Sequence, residues 1–218
     1  MNHASRNRLT EYQLARFSGT TLFDRVARAV CRAGCLPRKE LFEALEVARR
    51  LRRRCRGGRI VDLACGHGLA ATLLLLLDDS SPEALGIDRR LPPSAAKLQA
   101  VLNHEWPRLA GRVTLQAGEI EDVVLSADDL VVSVHACGPL SDLVLERAIA
   151  ARARVALLPC CHDHKESGGA ALRGWLDGAL AMDVERALRL QAAGYKVITQ
   201  TIPADITPKN RLLLGIPE

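Results

Sequence analysis

Apolar positions along the chain follow two rhythms. Over roughly the first quarter they recur at helical intervals: Leu22, Val26 and Val30 behind Thr21, then Leu41, Leu45, Ala48 and Leu51. Such spacing gathers apolar side chains on one face of a helix. It predicts a helix capped by Thr21 and stopped near Gly34, and a second over residues 38–55 opened by Pro37. Arg49, Arg50, Arg52, Arg53 and Arg54 fall on the remaining, solvent-facing arc of that second helix. A shorter helix is expected over residues 10–17, behind a frayed arm at residues 1–9.

Past Gly57-Gly58 the rhythm changes to short apolar runs of strand length alternating with helical stretches. Strands are expected at residues 59–63, 84–88, 113–116, 130–135 and 155–159, with helices at 69–77, 95–106 and 182–193, and two last strands at 195–202 and 210–216. Alternation of this kind builds a doubly wound, mostly parallel α/β sheet. Residues 203–209 are too few for the helical crossover that parallel neighbours need, so the sixth and seventh strands must pair antiparallel. The organisation read from this is a basic helical N-terminal extension, residues 1–57, and an α/β domain, residues 58–218.

With 218 residues the chain suits one α/β domain plus that extension, and 3% aromatic content leaves the core to Leu, Val and Ala. No apolar stretch approaches the roughly 20 residues of a membrane span. Residues 1–9 are polar and basic, unlike a signal peptide, and a cytoplasmic protein is expected. Seven cysteines, an odd number, read as reduced thiols and not as a disulfide framework. Charge is divided unevenly: residues 1–60 hold 15 Lys+Arg against 5 Asp+Glu, whereas residues 61–218 hold 15 against 20. A basic segment beside a mildly acidic domain points to a polyanionic partner, nucleic acid first, with a solvated arginine-rich helix as the plainer alternative.

The stretch after the first strand, Asp62-Leu63-Ala64-Cys65-Gly66-His67-Gly68, is too small to continue a strand and rich enough in glycine to turn tightly around a ligand. The helix after it would aim unpaired amides at that ligand, which should be polar or anionic. Asp88, closing the second strand, stands where a ribose diol needs an acceptor, and Glu119 after the third strand is placed to reach an adenine amine. Gly66 to Ala71 fits the dinucleotide pattern G-x-G-x-x-A. The run from Asp62 also resembles the D-x-G-x-G-x-G loop of class I S-adenosylmethionine (SAM) methyltransferases, with Ala64 at the first glycine. The antiparallel ending resembles the methyltransferase sheet and not the all-parallel dinucleotide one. His67 is expected to expose its ring in the loop.

Two stretches lie at the carboxyl edge of the sheet, where open α/β sheets bind ligands: His135-Ala136-Cys137-Gly138 after the fourth strand and Cys160-Cys161-His162-Asp163-His164 after the fifth. H-x-C-G followed by C-C-H resembles the methyltransferase group that includes the tRNA acceptor-stem 2′-O-methyltransferases, over residues 58–218. The chain has no recognisable cysteine/histidine zinc module at its N-terminus. The resemblance implies a Rossmann-like class I sheet and SAM held by Asp62, Ala64, Cys65, Gly66, Gly68, Asp88, Glu119 and His135. Three chemistries compete at the rim. His135 can act as base for methyl transfer to oxygen or nitrogen. Cys137 or Cys160 can act as nucleophile, as in RNA cytosine-5 methyltransferases. A zinc tetrahedron can form from His135, Cys137, Cys160, Cys161, His162 and His164, although their spacing is not that of common structural sites, and no bound metal is expected. RNA is the expected acceptor; a small-molecule or protein methyltransferase and a catalytically silent SAM-binding RNA or partner module are the alternatives.

Overall fold

The computed structural model describes residues 3–159, 170–172 and 174–218. Seven strands form one sheet: β1 (Ile60–Leu63), β2 (Ala84–Asp88), β3 (Val113–Ala117), β4 (Leu130–Ser133), β5 (Arg154–Leu157), β6 (Tyr195–Thr201) and β7 (Arg211–Pro217), in the spatial order 3-2-1-4-5-7-6. The first five run parallel, with registers such as Ile60 opposite Ala84 and Leu130. β7 is antiparallel to both of its neighbours, β5 and β6. The short connection therefore closes as expected, and the closing strand inserts between the fifth and the sixth.

Both faces of the sheet are covered. α1 (Leu22–Ala33), α2 (Arg38–Arg52), α3 (Leu69–Leu77) and α4 (Ala95–Glu105) share one core with Ile60, Leu130, Val132 and Leu214; α5 (Pro139–Ala150) and α6 (Gly178–Ala192) lie on the other side. α1 obeys its signals closely. Thr21 accepts a hydrogen bond from the Asp24 amide, and Gly34 ends the helix at φ 66. α3 is buried along almost its whole length, which suits a nine-residue helix made of Leu, Ala and Thr alone. No described helix is long and apolar enough to cross a membrane.

The N-terminal region differs from expectation in three places. Residues 3–9 are not a frayed arm: the Leu9 side chain is fully buried and its amide donates to the Leu36 carbonyl at 2.9 Å. Residues 11–17 form a 3-10 helix, whose Thr10 amide is capped by the Gln13 side chain. α2 ends at Arg52, because the amides of both Arg54 and Cys55 turn back to the Leu51 carbonyl. Arg52 itself leaves the solvent arc. It is 5% exposed, donates to the Leu74 carbonyl and the Ser81 hydroxyl, and lies 3.2 Å from Asp78. Its guanidinium ties α2 to the far end of α3, away from any ligand. Helix α5 had no counterpart in the sequence reading; its apolar spacing is masked by the surrounding glycine and proline at Gly138-Pro139.

Candidate functional site

β1 delivers Asp62 to the carboxyl edge. The side chain is 2% exposed and accepts one hydrogen bond, from the Ala71 amide in the first turn of α3, at 3.3 Å. Burial pushes its pKa from 3.8 up to about 7, with the Asp88 charge adding to the rise. The chain then turns through Ala64, Gly66 and Gly68, all with positive φ. Gly68 has no alternative residue here: a Cβ would lie 2.5 Å from Leu115 Cδ2, in backbone already at φ 70. A Cβ on Gly66 would meet nothing within 4 Å, so this part of the loop presents bare backbone to open space.

Ala64 takes the left-handed conformation at φ 61, which glycine adopts more readily than alanine. Ala64→Gly should remove about 1 kcal/mol of backbone strain, largely offset by the freedom glycine adds to the unfolded chain. An unfolding free energy from urea titration within about 1 kcal/mol of wild type is expected; a larger loss would mean that the Ala64 methyl group is a packing element.

Asp88 holds the loop from β2. One oxygen accepts the Gly66 amide at 2.9 Å and the other the Arg90 amide at 3.0 Å, leaving further lone pairs for a diol. Glu119, half exposed after β3, accepts from Arg89 at 3.0 and 3.1 Å, while the neighbouring Gly118 amide donates to the Asp88 carbonyl. Cys65 packs against Gly86, where an added Cβ would sit 2.9 Å from the sulfur. Burial drives the Cys65 pKa strongly upward, so it stays a thiol. His67 does not simply expose its ring. It is half-buried with Nε2 2.9 Å from the Ser94 hydroxyl, and burial lowers its pKa.

The opposite wall comes from α2, which sequence reasoning assigned to packing and to a positive surface alone. Leu36, Glu40 and Ala44 close a cavity with Asp62, Ala64, Cys65, Gly66, Leu69, Val134 and His135. Its volume, about 40 Å³, holds the tip of a ligand and not a whole one. The signal that could have found this wall is the charge gradient along α2, with Glu40, Glu43 and Glu46 in its first two-thirds and the arginines Arg49, Arg50 and Arg52 gathered at its end.

At the rim, His135 follows β4. Burial, then the nearby Lys39 charge, lowers its pKa to about 4, so the imidazole is neutral at physiological pH. Cys137 is exposed, and its thiol donates to the His135 carbonyl at 3.4 Å; it does not line the cavity. Cys160, Cys161, His162 and His164 lie outside the described residues, and among the described ones no group of three or more His, Cys, Asp or Glu could hold a metal. The sequence-predicted set is thus brought together at Asp62, Ala64, Cys65, Gly66 and His135, with Asp88 joined to it through the Gly66 amide. Gly68 shapes the turn, and Glu119 stands apart on the surface.

A family profile described as a methyltransferase domain matches residues 39–166, more than half of the chain. The chain belongs to that methyltransferase family. The match takes in most of α2, the loop, Asp88 and the His135 rim. Among solved structures, this methyltransferase is similar to the apo SAM-dependent methyltransferase SibL, at 20% identity over 97% of this chain and 66% of that one, TM-score 0.55. It is also similar to magnesium protoporphyrin IX methyltransferase from Synechocystis PCC 6803, solved with S-adenosylhomocysteine bound, at 12% identity over 95% and 94%, TM-score 0.51. Both share the class I SAM-dependent fold. A Drosophila melanogaster relative, a glutathione S-transferase C-terminal domain-containing protein homolog, is 26% identical over 200 residues. The chain spans only about 33% of that protein's length.

The residues fit SAM, whose bound form supplies a methyl group on a sulfonium sulfur. Bare backbone at Gly66, the Asp88 carboxylate and the acidic cavity of Asp62 and Glu40 suit, in turn, a nucleoside, its ribose diol and a cationic end.

Proposed function

We propose that this SAM-dependent methyltransferase methylates an oxygen or nitrogen of RNA, with His135 taking the acceptor's proton. The observation that carries the RNA reading is a groove of about 610 Å³ between α2 and the end of β6, lined by Arg49, Arg50, Arg53, Arg54, Glu46, Gln200 and Thr201. Arg50 donates to the Thr201 carbonyl and pairs with Glu46, while Arg53 and Arg54 are exposed and make no ion pair among the described residues. Four guanidiniums against one carboxylate suit a phosphate backbone. The same helix carries Glu40 in the cofactor cavity, and a rise of about 1.5 Å per residue sets Arg50 roughly 15 Å from it, a few nucleotides' reach.

Transfer of label from SAM to total RNA, small metabolites or protein extract tests the substrate class directly. RNA binding should weaken steeply with salt, and replacing Arg49, Arg50, Arg53 and Arg54 with Gln should reduce the slope of log K against log salt by about 2 to 3. Binding that is indifferent to salt, or unchanged in that variant, would refute the reading.

A second reading has its own support. A mostly apolar cavity of about 600 Å³ at the same sheet edge is lined by Pro159, Leu180, Val184, Ala187, Leu212 and Leu213, with Asp183 and Arg211 at its polar side. A small apolar acceptor would suit it, and label in the metabolite fraction alone would favour that reading.

A further inference from the structure

Behind the rim lies a buried acid that cofactor binding leaves unused. Glu43, on α2, is 1% exposed. Lys39 Nζ lies 3.2 Å from its Oε1, and Thr207, fully buried in the β6–β7 connection, stands beside the same carboxylate. Its Oε2 has no hydrogen-bond partner among the described residues. His135 Nε2 stands 3.9 Å from that oxygen, within ion-pair reach and longer than a hydrogen bond in this structure. A buried carboxylate oxygen left unbonded is costly, and the imidazole is the group at hand that can satisfy it. Three separate pieces of chain converge here: α2, the end of β4 and the β6–β7 connection.

We propose that Glu43 is a positioning residue for His135, accepting the Nε2–H of the neutral imidazole and so leaving the lone pair on Nδ1. The role in catalysis rests on the methyl transfer proposed above; the tautomer does not. In that transfer the carbon–sulfur bond breaks with its electron pair staying on sulfur, the acceptor oxygen or nitrogen forms the new bond to carbon, and the acceptor's proton passes to Nδ1. The imidazolium so formed faces the Glu43 carboxylate, which offsets its charge. Among the described residues, Lys39 and Glu40 on α2, Asp62 at the end of β1, and Cys65 and His67 in the loop after it are further charged or titratable groups around the cavity. Glu43 and His135 thereby need no shared element; the pair is made across the joint between the N-terminal helices and the sheet.

The test is the side-chain nitrogen-15 spectrum of histidine-labelled protein at pH 8, with the His135 signals assigned by their loss in His135→Gln. Wild type should give widely separated shifts, pyrrole-like at Nε2 and pyridine-like at Nδ1. Glu43→Ala should make the two converge, whereas Glu43→Gln, whose amide oxygen still accepts, should retain most of the separation; SAM affinity reports in parallel that each variant is folded. A wild-type Nδ1–H tautomer overturns the proposal without recourse to any variant, and so does a separation that survives Glu43→Ala. Absence of methyl transfer to every acceptor would sink the proposed reaction and leave the tautomer result standing.

Discussion

Asp62→Asn should stabilise the cofactor-free protein at pH 8 while weakening its hold on SAM. The acid is buried with one backbone donor, and its pKa in the folded chain, about 7, lies well above the 3.8 of an unfolded aspartate. The folded state therefore binds the proton more tightly. Stability contributed by the protonated acid is complete below about pH 3.8 and drains away as pH rises through 7. At pH 8 the ionised group costs up to about 4 kcal/mol, a ceiling that local relaxation lowers. Asparagine escapes this cost, so the variant should melt several degrees higher at pH 8, and the gain should fade near pH 5, where the wild-type acid is already protonated. With cofactor the sign reverses: a cationic group in the cavity favours the carboxylate, and losing a charged hydrogen bond should weaken binding by about 1.5 to 3 kcal/mol, roughly ten- to a hundredfold. Thermal melts at the two pH values and calorimetric titration with SAM check both halves. An equal melting shift at both pH values would remove ionisation as the cause.

Asp88→Ala should be more damaging to cofactor binding than any other single change on β2. It removes the acceptor of the Gly66 amide and of the Arg90 amide, and with them the carboxylate proposed to meet a ribose diol. Loss of two charge-assisted contacts predicts a fall in SAM affinity of at least a hundredfold. The fold should survive, because Asp88 is only partly buried and the β2 registers with β1 and β3 are set by backbone. Titration with SAM and with S-adenosylhomocysteine should give the same ratio, since the diol is common to both; a loss confined to one of them would place Asp88 elsewhere in recognition.

Much of the sheet could be read from the chain because parallel strands are buried on both faces and announce themselves as short apolar runs; β2 and α3 matched to the residue. The antiparallel ending followed from connection length alone, which is a constraint of chain geometry and not of propensity. Other features were invisible for identifiable reasons. Arg52 carries the same charge as its neighbours, and only the position of Asp78 and Ser81, some 26 to 29 residues away, decides that it is buried. Glu40 and Glu43 look like surface acids until α2 is laid across the end of β1. The residue-level fate of the second rim motif depends on residues 160–164, which lie outside the described part of the chain.

The position of β7 also has a consequence for the making of the protein. Among the described residues β6 pairs with no strand except β7, and β7 separates it from β5. While a ribosome has yet to supply residues 211–217, the nascent sheet ends at a bare β5 edge, and β6 waits with nothing to bond. Such an edge is a template for pairing with another chain. The nascent chain with β6 outside the exit tunnel and β7 still within it is therefore the species most exposed to misassembly, and chaperone demand should fall once residue 217 has emerged.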